Sequence, residues 1–251
     1  MWHDVVDLRE FYETRRGQVA RHMVRRAVRS VWPDVTGQSV LGLGFATPYL
    51  RQFKSEAERT IAFMPASQGV MHWPPEGPGL VSLVEETELP LPDYSVDRVL
   101  LVHGLENSES LRGLLREIWR VLTGDGRLLV VVPNRRGIWA RSDRTPLGWG
   151  HPYSGAQLSR VLRENMFIPA RTERALYVPP IANFTFLRSA PAWERMGARF
   201  FPTFAGVVMI ESGKQLYAGT MAPAKQRKFR RPVVVSFPQA AGRLHREKSP
   251  N

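Results

Sequence analysis

The sequence predicts an α/β fold, a mostly parallel sheet with helices on both faces. Three features predict it. Short apolar runs alternate with stretches of helical period along the first two thirds of the chain. The run Ser39-Val40-Leu41-Gly42-Leu43-Gly44 is continuously apolar, too short for a helix, and suited to a strand buried on both sides. Leu111 to Leu122 repeats its apolar residues at threes and fours, then turns at Thr123-Gly124-Asp125-Gly126 into the apolar run Arg127–Val132. Strand–helix alternation of this kind builds parallel sheets through crossover helices.

In chain order, Leu8 to Val31 reads as one amphipathic helix, with Phe11, Val19, Met23, Ala27 and Val31 on its apolar face. Its opposite face carries Arg15, Arg16, Arg21, Arg25, Arg26 and Arg29 and reads as solvated. Trp32-Pro33-Asp34 stops it before the first strand at Val40. Thr47-Pro48 then has the chemistry of a helix start, an N-cap followed by proline, opening a helix through Tyr49, Leu50 and Phe53. Strands follow at Thr60–Met64, Leu80–Val84 and Val96–His103. The Leu111 helix and the Arg127 strand come next, and Gly155 to Asn165 reads as a helix. Ala205 to Tyr217 reads as a closing pair of edge strands.

Of 251 residues, 43% are hydrophobic, none is cysteine, and 35 Lys and Arg outnumber 23 Asp and Glu. Disulfides, thiolate nucleophiles and cysteine-based metal sites are thereby excluded. No apolar run approaches the ~20 residues of a membrane span, and the acidic start is unlike a signal peptide. A soluble, cytoplasmic protein is expected. The net charge of +12 is uneven: residues 221–251 hold eight Lys and Arg against one Glu, so +7 lies in that stretch. It reads as a disordered basic tail after an N-terminal helical segment at 1–37 and a domain at 38–220. The six histidines show no metal-ligand spacing, and no nucleophile elbow or phosphate-binding loop is present.

Several motifs carry a resemblance. They are Leu89-Pro90-Leu91-Pro92-Asp93 with Val96-Asp97-Arg98-Val99, then His103-Gly104-Leu105-Glu106. Leu115-Arg116-Glu117-Ile118-Trp119-Arg120-Val121-Leu122-Thr123-Gly124-Asp125-Gly126 and Val132-Pro133-Asn134 follow. Over residues 38–135 the chain resembles the class I S-adenosylmethionine-dependent methyltransferases, and more narrowly the bacterial group that methylates small molecules. The resemblance implies a Rossmann-like, seven-stranded sheet and S-adenosylmethionine as cofactor.

It also implies cofactor-binding positions, and there the sequence departs from the family. Gly44 matches the first motif glycine, but Gly42 replaces the usual acid, while Ala46 and Pro48 replace two further glycines. Phe45 and Thr47 would shape the same loop. Met64 stands where the second strand ordinarily ends in the acid that accepts the ribose hydroxyls. Losing a charged hydrogen bond of that kind costs about 1.5–3 kcal/mol, roughly tenfold to 150-fold in affinity. Glu85 corresponds to the acid beside the adenine. His103, at a strand end, is the candidate base or orienter, and Glu106 reads as a helix-start charge. Arg135, Arg136, Trp149, His151 and Tyr153 crowd the loop after the fifth strand, where pairing and stacking would suit a planar anionic substrate.

Three functions follow as expectations. The first is an S-adenosylmethionine-dependent methyltransferase acting on a small molecule. The second is a methyltransferase-fold protein without catalysis, serving a protein partner in regulation or assembly. The third is a nucleic-acid binder using the basic tail.

Overall fold

The computed structural model describes residues 4–143, 145–180 and 189–216. The basic stretch at 221–251 lies outside them. The described residues fall in one unit, Met1–Leu216, whose centre is a seven-stranded sheet. Its strands are β1 (Ser39–Gly44), β2 (Arg59–Pro65), β3 (Val81–Val84), β4 (Val96–Val102), β5 (Leu122–Pro133), β6 (Phe167–Ala175) and β7 (Val207–Lys214), in the order β3-β2-β1-β4-β5-β7-β6. The first five run parallel, whereas β7 is antiparallel to both β5 and β6. The segment read as two edge strands is thus a single strand, and it lies inside the sheet. Its run Val207–Ile210 is buried on both sides, which an edge does not require.

The helices are α1 (Val5–Glu13), α2 (Arg15–Val31), α3 (Thr47–Leu50), α4 (Leu111–Val121), α5 (Gly155–Glu164) and α6 (Ala190–Phe200). The single N-terminal helix expected from periodicity is broken at Thr14. That residue is extended (φ −65°, ψ 154°), and its hydroxyl accepts from Gly17 N, capping α2 as α1 ends. The helix expected through Phe53 stops after one turn, at Leu50.

Alternation along the strands divides the core in two. Val40, Ala62, Met64, Leu100, Val102 and Val131 face α1, α2 and α3. Leu41, Leu43, Val99, Leu101, Val130 and Val132 face α4 and α5, meeting Leu114, Leu115, Ile118, Leu158 and Leu162. Full burial of each large aliphatic side chain contributes about 1.5–3 kcal/mol. Ser154 opens α5 with a capping box to Gln157, and Glu117 on α4 receives Leu89 N, fastening the loop before β4. No helix among the described residues is long and apolar enough to cross a membrane.

Candidate active site

The strand order reverses direction between β1 and β4, and open α/β sheets bind ligands in the crevice beyond the strand ends at such a point. Gly44 ends β1 with φ +74°, and a Cβ there would overlap the Val102 carbonyl, so the turn requires glycine. His103 follows β4 directly, with φ 51°, a costly conformation for a side chain of its size. Its carbonyl accepts from the Gln68 and Asn107 side-chain amides, which hold it there.

Four side chains meet at this point. Nδ1 of His103 lies 3.1 Å from Glu106 Oε1 and Nε2 lies 2.8 Å from the Tyr12 hydroxyl, which in turn receives the Tyr49 hydroxyl at 2.8 Å. Burial raises the Tyr12 and Tyr49 phenols well above their ordinary range, so both stay protonated as donors. Read as a chain, Tyr49 donates to Tyr12, Tyr12 to Nε2, and Nδ1–H to the Glu106 carboxylate. This fixes one imidazole tautomer. Glu106 Oε2 is buried without a hydrogen-bond partner among the described residues. It borders a cavity of about 10 Å³ that Tyr12, Tyr49, His103 and Leu147 also line, room for about one water.

Glu106, expected as a helix-start charge, is instead a buried partner of His103. It sits in a buried 3-10 turn, Leu105–Asn107, at 2% exposure. Its spacing of three residues from His103 was the one available sequence signal; nothing in the local sequence pointed to Tyr12. The Tyr12 ring stacks on Phe45 with centroids 5.7 Å apart, so α1 lies over the crevice mouth. Gln68 O also accepts Val5 N at 2.8 Å, tying the start of α1 to the residue that steadies His103.

The remaining expected positions are less gathered. Thr47 is buried at the start of α3, and Met64 is buried in the core under α1. Glu85 is exposed, in a turn closed by Glu88 N on its carbonyl. Arg135, Arg136 and His151 are exposed; Tyr153 is half-buried and pairs through its backbone with Pro133 and Arg135. Trp149 lines an open groove of about 290 Å³ with Phe11, Thr145 and Pro146, rimmed by Asp7 and Arg16. A thin wall divides groove from crevice: Phe11 and Pro146 face the groove, Tyr12 and Leu147 the inner cavity.

Residues 39–130 match the family model described as a methyltransferase domain. Over that stretch the chain is similar to methyltransferase domains. Solved structures agree on the fold. An S-adenosylmethionine-dependent methyltransferase of Thermotoga maritima, a possible histamine N-methyltransferase, superposes with a TM-score of 0.57 at 16% identity, covering 84% of this chain and 95% of that one. The methyltransferase in the Haloferax volcanii complex with the activator Trm112 gives 0.54 at 16%, covering 84% and 99%. A methyltransferase of Archaeoglobus fulgidus gives 0.54 at 18%, covering 77% and 94%. No curated protein matches the chain.

S-adenosylmethionine fits the backbone at this site better than the side chains. Gly44 supplies a positive-φ turn at the end of β1, beside the switch point. A Cβ at Gly42 would overlap Leu50 Cδ1 and lie 2.9 Å from Ala46 Cβ, so the family's acid would require Leu50 and Ala46 to shift. Met64 offers no acceptor for ribose hydroxyls, and Tyr12 stands between Phe45 and His103.

Proposed function

We propose that the chain is an S-adenosylmethionine-dependent methyltransferase acting on a small molecule. The observation that carries this reading is the buried Glu106–His103–Tyr12 chain at the β1–β4 switch point. Glu106 orients the imidazole, and Nε2 is the base that takes the acceptor's proton once Tyr12 yields its place. S-adenosylmethionine, when bound, supplies an electrophilic methyl group. Gly44, Phe45 and Thr47 would hold it by backbone and packing, with Glu85 nearer the adenine. Positioning does most of the remaining work in such a displacement. A small acceptor is favoured because α1 and the Pro146–Leu147 turn wall off the crevice, leaving the groove at Trp149 as the approach. Arg135, Arg136, His151 and Tyr153 would form its outer rim.

Calorimetric titration of the full chain with S-adenosylmethionine and S-adenosylhomocysteine tests the reading. Saturable binding of both is expected; no heat at millimolar ligand would overturn it.

A second reading, a methyltransferase-fold protein without catalysis that serves a protein partner, is favoured by one observation: the chain's own Tyr12 and Leu50 fill space that cofactor-binding groups would need. It predicts that even Tyr12→Ala leaves the protein unable to bind either ligand.

A further inference from the structure

We propose that α2 carries a binding rail for the phosphate backbone of single-stranded RNA. The helix holds six arginines and His22 but no acidic residue. His22, Arg25, Arg26, Arg29 and Ser30 recur at threes and fours, forming one continuous stripe. Like charges at these spacings repel, which an anionic partner would relieve. The stripe edges an open groove of about 510 Å³, with Gln52 on its floor. Gln52 Nε2 is buried with no hydrogen-bond partner among the described residues.

Arg29 is already committed, donating to both Glu56 oxygens at 2.6 and 3.1 Å. Arg25 and Arg26 are exposed and make no salt bridge or hydrogen bond among the described residues; Arg26 acts on Glu194 only through its field. From His22 to Ser30 the stripe spans about 12 Å at 1.5 Å per residue, longer than one phosphate and suited to more than one in a row. A bilayer is the poorer fit. Among the described residues, every large exposed apolar side chain lies off α2, whereas a helix seated in lipid turns such residues outward. The rail differs from the basic stretch at 221–251, which lies outside the described residues.

The test uses fluorescence anisotropy of the full chain with a fluorescein-labelled uridine 20-mer. If about three phosphates are neutralised, affinity falls roughly tenfold to twentyfold between 50 and 200 mM KCl. Arg25→Gln with Arg26→Gln should weaken binding at least tenfold and reduce the log–log salt slope by about 1.4, with an unchanged melting temperature. A full chain with Lys225, Arg227, Lys228, Arg230 and Arg231 changed to Gln should keep that dependence on Arg25 and Arg26. The proposal is overturned if the 20-mer does not bind, if the double variant binds like wild type, or if tail neutralisation alone abolishes binding. Preference for phosphatidylglycerol-containing vesicles over the 20-mer would overturn it as well.

Discussion

Nε2 of His103 stands 2.8 Å from the hydroxyl of Tyr12, joining residues 91 positions apart in the chain. The contact secures the N-terminal helix and also occupies the imidazole nitrogen that chemistry would need. Tyr12→Phe keeps the ring stacked on Phe45 but leaves Nε2 and the Tyr49 hydroxyl short of a partner. Unsatisfied buried polar groups cost about 1–3 kcal/mol each. A loss of stability in that range is expected in urea unfolding, with cooperativity retained.

Removing the ring altogether has the opposite effect on ligand. Where a binding-competent form is only fractionally populated, apparent affinity falls by that fraction. Tyr12→Ala should therefore tighten S-adenosylhomocysteine binding relative to wild type, read by calorimetry, even as the protein loses stability.

Gly42→Asp, the change that would restore the family's acid, should not create a better cofactor site. Its Cβ would overlap Leu50, and the carboxylate would be buried in an apolar layer. Overpacking and an unpaired buried charge together cost about 3 kcal/mol or more. Thermal unfolding and soluble yield should both fall, whereas Gly37→Asp, in an open turn of positive φ, should fall much less.

Acid stability should depend on Glu117. Hydrogen bonding from Arg120 holds its carboxyl below the usual glutamate range, aided by Leu89 N. A folded value below the unfolded one gives stability that is complete above the unfolded pKa, about 4.3. That stability is lost as pH falls through the lower folded value. Urea midpoints should drop less between about pH 5 and about pH 3 in Glu117→Gln than in wild type.

The sheet was legible because β1, β2, β4 and β5 are short apolar runs between turn residues, a pattern that two-sided burial imposes. The break at Thr14 was not, since threonine interrupts a helical period only when its hydroxyl turns back to cap the next helix. His103 could be read from its place at a strand end. Glu106 was read as a helix-start charge because its burial depends on a turn closed from outside, His151 N donating to Glu106 O at 3.0 Å. Tyr12 was unreadable as a site residue: on α1 it is one aromatic on an apolar face, and only the tertiary arrangement brings it to β4.

Thr14 joins α1 to α2 through one extended residue, with Gly17 packed so closely that a Cβ there would overlap the Phe11 carbonyl. The two helices consequently share no continuous hydrogen-bond ladder. α1 is held to the domain by the Val5 and Tyr12 hydrogen bonds and by its buried Leu8 and Phe11. Opening the crevice at α1 would therefore cost those contacts but no hydrogen bond within α2.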